Sequence, residues 1–346
     1  DGSGREYKSA AQSHPDDAIA RKAYYDPEVL APLHLINVTM NLTVDPTEQL
    51  VQRDRKGLPL AVGPAGYLLD GRHWPFREGR DDFQIGNWVG ISGAALTTGL
   101  GRMTTFGLSL LLGLANVRMG VWWRSHLGAR EARNVFERIA LRLLPTQTYL
   151  AYELSARFHG RHRPWQYLSD GGHFENTAAY ELLRPERDIE LIVVCDDGCD
   201  PEYRFADLAN LMRLARIDHQ AQFKLVEKLD PELAKLFGRD VDFAKRDPAS
   251  KEEDNKCALL YHVSYPDAGH RARWLIVLKP RLISAAPLDV WQYGIEHSAF
   301  PQESTADQFF DEAQWESYRK LGLVTGTLVF GKKNGAKLIE RLREPA

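Results

Sequence analysis

The chain has 346 residues, 44% of them hydrophobic and 26% charged, enough to bury a large core in one big α/β unit or two smaller domains. Its formal net charge of -3 gives no global electrostatic reason to bind nucleic acid. The cysteines, Cys195, Cys199 and Cys257, are too few for a disulfide framework and fit a reducing compartment.

Residues 1–30 are polar and rich in small side chains, and read as a lead-in loop plus a short helix, the edge of an excised piece. "LHLINVTMNLTV" then alternates. Ile36, Val38, Met40 and Leu42 take one face and Asn37, Thr39 and Asn41 the other, which predicts a strand with one buried face. The N-x-T sequons at Asn37 and Asn41 read as polar strand positions rather than glycan acceptors. "RDRKGLPL" and "GPAGYLLDGRHWPFREGRDD" are turn-rich and charged, and read as surface loops.

The most apolar region runs from Trp88 to Trp123, and an arginine-rich stretch follows it to Arg142. A membrane span needs about twenty apolar residues. Met103 to Trp123 approaches that, but Arg118 interrupts it and glycines dilute it. The leading reading is a buried helical layer, with a membrane-surface contact through 88–142 and a true span as the alternatives.

"WQYLSDGG" predicts a short strand and a turn, and Asn176 can cap a helix through "TAAYELLR" that Pro185 stops. "DIELIVVCDDG" reads as a strand buried on both faces of a parallel sheet. "DPEYRFADLANLMRLARID" places Phe205, Leu208, Met212 and Ala215 on one helical face. Strand and helix alternate here, so the fold class is α/β with a largely parallel sheet. "KCALLYHVSYP" and "RARWLIVLKPRL" read as a hairpin around "DAGH". "STADQFFDEAQWESYRKLG" reads as a helix with a capping box at Thr305 and Gln308, ending at Lys320 and Gly322. Residues 331–346 form a basic tail or helix.

Asp170 is the main chemical candidate. Functional groups of α/β folds gather at the carboxyl ends of strands. Gly171 and Gly172 permit positive φ or close backbone approach, and a helix starting there would favour an ionised carboxylate. Asp-Gly-Gly is also an ordinary turn, so from the residues alone Asp170 is either a turn former or a catalytic group. Asp196, Asp197 and Asp200 lack the spacing of a calcium loop and read as loop and cap residues. His173 reads as structural or substrate-proximal, and Arg161, His162 and Arg163 as a solvated basic loop. No histidine or cysteine spacing calls for a metal, and nothing calls for another cofactor.

"YLSDGGHFENTAAYELLR" followed by "IELIVVCDDGCDPEYRFADLANLMRLARID" resembles the aspartate region of bacterial patatin-like phospholipases, relatives of patatin and cytosolic phospholipase. "INVTMNLTVDPTEQLVQRDRKGLPLAVGPAGY", "GISGAALTTGLG" with "NVRMGVWW", and "AFPQESTADQFFDEAQWESYRKLG" resemble the same proteins, over residues 30–325. The resemblance implies a three-layer α/β/α sandwich with a mostly parallel central sheet, residues 31–330 being the C-terminal part of its catalytic domain. It implies hydrolysis of lipid acyl esters by a serine–aspartate dyad, with Asp170 as the aspartate and Gly171 and Gly172 completing the motif.

The serine should stand in a GxSxG elbow, after a glycine-rich loop that donates to the oxyanion. Neither occurs in the 346 residues. "GISGA" lacks the last glycine, which leaves Ser92 a weak candidate for the nucleophile, and "GLGRM" is too short for the loop. Two readings result: the aspartate-bearing portion of a lipid acyl hydrolase, inactive as this chain alone, and a non-catalytic module that binds a membrane or a partner through 88–142.

Overall fold

In the computed structural model, which describes residues 32–44, 54–76, 83–125, 127, 134–246, 252–267, 269–304, 307 and 309–344, the alternating stretch forms β1 (Ile36–Asn41). The lead-in at 1–30 lies outside the described residues. The chain divides into two compact units, residues 1–178 and 179–346.

In the first unit β1 is central to a six-stranded sheet ordered β4-β3-β2-β1-β6-β5. Its other strands are β2 (Gly57–Val62), β3 (Gly66–Leu69), β4 (Arg72–Pro75), β5 (Val121–Arg124) and β6 (Trp165–Asp170). Every pairing in this sheet is antiparallel. The two segments expected to be surface loops are therefore strands β2 to β4. Asp70 and Gly71, at φ 51° and 74°, form the tight turn between β3 and β4, the Asp-Gly hairpin signal that the surrounding charges obscured.

The core beneath this meander holds Met40, Leu60, Tyr67, Trp88 and Trp123. Trp123 meets Trp88 and Tyr67 edge-on, at ring separations of 5.6 and 5.2 Å. Both faces of β1 are buried, not one, because Thr39 and Asn41 are as enclosed as the apolar set.

The apolar region does not form one long helix. It breaks into α1 (Ile85–Ser92), α2 (Phe106–Leu114) and β5. Trp88, Ile91, Leu100 and Trp123 are buried as a packed layer requires, but α2 leaves Phe106, Leu111 and Leu114 exposed. Among the described residues no helix is long and apolar enough to cross a membrane. The basic stretch supplies α3 (Val135–Leu143), capped by Asn134, and Pro145 opens α4 (Pro145–Leu154) at the position where a missing N–H costs nothing.

Near its C-terminus α4 carries Glu153, 1% exposed. Arg118 grips it with two bonds, Nε at 2.7 Å and Nη2 at 2.8 Å, and the Trp122 indole donates at 2.9 Å. Thr98 donates to it at 3.2 Å.

The second unit has a four-stranded sheet, β7-β10-β9-β8, formed by β7 (Leu191–Cys195), β8 (Gln222–Leu225), β9 (Ala258–Ser264) and β10 (Arg273–Leu278). The β9–β10 hairpin forms as its sequence predicts. Only β7 and β10 pair in parallel among the described strands, which corrects the largely parallel central sheet: the chain is mixed α/β, built on two mainly antiparallel sheets. Being an edge strand, β7 buries Ile192 and Val194 and exposes Leu191 and Val193, so it is not covered on both faces.

Helix α5 (Ala206–His219) follows its predicted face, with Leu208 and Ala215 buried. Asp200 accepts from the Arg204 and Phe205 amides just before that helix, as a loop and cap residue does. Asp196 is instead half of a buried pair, 3.1 Å from the Lys279 ammonium. Helices α6 (Leu288–Glu296), α7 (Glu312–Phe330) and α8 (Lys332–Arg343) complete the unit. α7 is capped by Asp311 and runs through Gly322, whose added Cβ would touch nothing. The expected stop there is lost to continued packing of Thr325 and Val329, and the capping box at Thr305 and Gln308 lies outside the described residues. The expected helix after Asn176 is a series of turns, Ala178 breaking it with φ 60°.

The Glu153 cluster sets a stability test. Glu153→Ala strands the Arg118 guanidinium, the half-buried Trp122 donor and the buried Thr98 donor, and is expected to cost about 3 kcal/mol in urea unfolding. Arg118→Ala is expected to cost at least as much, since it leaves the Glu153 carboxylate buried without its cation.

Candidate functional site

Asp170 closes β6, directly opposite Val38 of β1. The backbone then turns into a single 3-10 turn, Gly171–His173. One carboxylate oxygen, Oδ1, accepts from the Gly172 amide at 2.7 Å and so caps that turn. It is the side chain's only hydrogen bond among the described residues, and Asp170 is half-buried, so Oδ2 remains able to accept from a visiting group. The long helix whose N-terminal dipole was expected to support the carboxylate is absent here.

Close approach, not positive φ, explains the first glycine. Gly171 is not among the positive-φ residues. A Cβ on it would stand 2.5 Å from the Asn37 carbonyl oxygen, whereas a Cβ on Gly172 would meet the Asn176 side chain at the same distance. The turn is thus pressed onto β1, and Thr39 fastens it by donating to the Gly171 carbonyl at 3.3 Å.

Ser92 is the last residue of α1, not the first residue after a strand-to-helix elbow, and its hydroxyl donates to the Asn37 carbonyl at 2.7 Å. That carbonyl is the one Gly171 packs against. Ser92 and the glycine pair are therefore brought to the same peptide of β1, but Ser92 is hydrogen-bonded to an acceptor that cannot take its proton.

Three residues to which the sequence assigned no part in this site tie this turn to the rest of the unit. Asn41 donates from Nδ2 to the Ser169 hydroxyl at 2.8 Å. Ser169 lies 2.9 Å from His173 Nδ1, and His173 Nε2 lies 3.0 Å from the Ala95 carbonyl. A carbonyl only accepts, so Nε2 carries the proton, Nδ1 accepts, and Ser169 donates to it. This serine–histidine pair has the direction of an activated nucleophile, but Ser169 is fully buried within the sheet, out of reach of any substrate.

Gly101 is the third residue. At φ 51° it faces the His173 carbonyl, which an added Cβ would meet at 2.3 Å. Its amide donates to Asn41 Oδ1 at 3.0 Å, and the Leu100 amide donates to Thr104 at 2.8 Å. The Leu100 and Gly101 N–H groups of "GLGRM" are thus already used, and they offer nothing to an oxyanion. The signal for these contacts was present only as the polar face of β1, whose partners lie 60 to 130 residues away.

Two histidines of this unit are held neutral. Burial pushes His173 below the usual imidazole range, against the opposing pull of the Asp170 charge and the Ala95 acceptor. Burial, then the positive charge of Arg163, lowers His159 to about 4. Among the described residues no cluster of histidine, cysteine and carboxylate side chains could hold a metal ion.

No family model matches the sequence, and no curated protein does either. Among solved structures the chain is similar to human GIVD cytosolic phospholipase A2, at 13% identity and a TM-score of 0.43. The match covers 90% of this chain and 44% of that one, so the chain spans less than half the length of that enzyme.

The two glycines should respond differently to a methyl group. Gly171→Ala pushes against backbone and is expected to cost about 2 kcal/mol or more in thermal or urea unfolding. Gly172→Ala meets the end of a side chain that can swing away, and is expected to cost under about 1 kcal/mol.

The histidines set a pH dependence. An unfolded imidazole titrates near 6.5, so between 6.5 and 4 the unfolded chain binds the proton that folded His159 refuses. The stabilisation is complete above 6.5 and is lost as pH falls. For His159 the loss between pH 7 and 4.5 is about 2 to 3 kcal/mol. Urea midpoints at the two pH values should converge by about that amount in His159→Asn, and an unchanged gap would exclude the assignment.

Proposed function

We propose that this chain is the aspartate-bearing portion of a patatin-like lipid acyl hydrolase working by a serine–aspartate dyad. The observation that carries the reading is the Asp170 turn: a carboxylate at a strand end, held through Oδ1 by the Gly172 amide, with Oδ2 open. The long stretches of resemblance on either side of "SDGG" support it. Asp170 would accept the proton of a serine hydroxyl as that oxygen attacks an ester carbonyl, and would orient the serine meanwhile. The alcohol would leave with the proton that Asp170 took up, and water would then hydrolyse the acyl-enzyme to free acid and serine. The serine would come from a GxSxG elbow and the oxyanion donors from a glycine-rich loop, neither of which these 346 residues contain. Ser92 and Ser169 are both committed to other bonds.

A second reading has its own observation. α3 exposes Val135, Phe136, Ile139 and Leu143, with Phe136 81% exposed, beside Arg138 and Arg142. This is the composition of a helix that lies in a membrane surface, as a non-catalytic binding module would use it.

Activity separates the two. The 346-residue chain is expected to turn over p-nitrophenyl esters no faster than background. The product of the whole reading frame, if an elbow serine precedes Asp1, is expected to hydrolyse them, and Asp170→Asn to lower kcat by about 10³-fold or more with KM little changed. Turnover by the chain itself that survives both Asp170→Asn and Ser92→Ala would sink the dyad. A reading frame without the elbow would leave the binding module as the better account.

A further inference from the structure

The opposite end of β6 carries a different feature. A cavity of about 810 Å³ opens beside Trp165, the first residue of that strand, well within the size range of small-molecule sites. At about 3.3 Å per residue, the length of β6 puts it about 16 Å from Asp170. It is therefore separate from the site above.

Four arginines line the cavity: Arg124 from β5, Arg138 and Arg142 from α3, and Arg163 from the segment before β6. Arg138 and Arg142 are one helical turn apart and so reach the same wall. No carboxylate belongs to the described lining. Glu137 is nearby, but it is engaged by Arg163 at 3.1 Å and by the Tyr152 hydroxyl. Arg124 and Arg142 have no carboxylate partner among the described residues. Arg163 Nη1 is buried and has no hydrogen-bond acceptor there. A buried guanidinium N–H is destabilising unless something accepts from it.

The remaining wall is aromatic. Trp122 and Tyr149 lie 4.6 Å apart between ring centres, and Tyr149 and Trp165 5.9 Å. Burial raises the Tyr149 phenol to about 12, so it stays a donor.

We propose that this cavity binds a phosphate monoester, the phosphate oxygens taken by the four arginines and the organic part laid against Trp122, Tyr149 and Trp165. Planar guanidinium groups pair two N–H bonds at a time with phosphate oxygens, and a monoester carries nearly two negative charges on three oxygens. A single carboxylate would leave most of these donors and charges unmatched. The exposed Arg124, Arg138 and Arg142 give a ligand its way in from solvent. The proposal does not depend on the role of Asp170.

Titration calorimetry of the intact chain with inorganic phosphate and with phenyl phosphate tests it, alongside co-sedimentation with phosphatidylcholine vesicles that do or do not contain phosphatidic acid. Phenyl phosphate is expected to bind more tightly than inorganic phosphate, and the double variant Arg124→Gln, Arg142→Gln to weaken it about tenfold or more. Binding to phosphatidic acid vesicles that the double variant loses assigns the phosphate to a lipid headgroup. Binding of phenyl phosphate without vesicle binding assigns it to a soluble ester. Should the glutamine variant melt early by circular dichroism, the lysine pair at the same positions decides, since it keeps the charge and loses the two-bond geometry. Weakened binding by the lysine pair supports the site. The proposal is overturned if neither phenyl phosphate nor phosphatidic acid vesicles bind, or if the variants bind them as the parent chain does.

Discussion

A carboxylate as far from water as Glu153 is tolerable only when its lone pairs are met, and meeting them organises the first unit. Arg118 reaches it from the segment that leads into β5, Trp122 from β5 itself, and Thr98 from the loop before α2. Tyr167 of β6 touches the same cluster, its hydroxyl 2.6 Å from Thr97 and 3.1 Å from Thr98. One side chain at the end of α4 therefore fixes two loops and the edge of a sheet. Trp122 is held by its indole nitrogen to Glu153 while its ring faces Tyr149, so the aromatic wall of the cavity depends on the same anchor.

The polar face of β1 does comparable work at the other side of β6. Thr39 and Asn41 are fully buried, and each spends its side chain on a segment distant in sequence. Thr39 takes the Gly171 carbonyl, and Asn41 takes Ser169 and the Gly101 amide. A buried polar group without these partners would be costly, so the sequence alternation of β1 encodes two different packings: an oily one toward Trp88 and Trp123, and a hydrogen-bonded one toward the Asp170 turn. The sequon at Asn41 is a consequence of that second packing, and the enclosed side chain is not available to a glycan.

What the sequence made legible was local. β1, β6, α5 and the β9–β10 hairpin follow from periodicity, and the abrupt turn at Asp170 from its two glycines. Strand direction was not legible, because a run such as Leu191 to Cys195 looks the same as an exposed edge or as the middle of a parallel sheet. β2 to β4 were hidden by the glycine, proline and charge that their turns require. The helix expected after Asn176 failed on one residue, Ala178, whose left-handed backbone no propensity scale predicts. The contacts that hold the candidate site, Asn41 to Ser169 and Gly101 to the His173 carbonyl, join positions too distant in sequence for any local pattern to announce them.

β6 ends differently on its two sides, and the difference is one of charge. At Asp170 a single carboxylate oxygen is used by the backbone and the other is left available, with no cation paired to it among the described residues. At Trp165 the guanidinium groups of Arg124, Arg138, Arg142 and Arg163 line one cavity, and Arg163 is the one that meets Glu137 at 3.1 Å. Placing the arginines beside Asp170 would tie the carboxylate into salt bridges and remove its capacity to accept a proton. Holding them at the far end of the strand keeps a proton acceptor and an anion-attracting surface in one sheet without letting either neutralise the other. That separation is secured here by the length of a single strand.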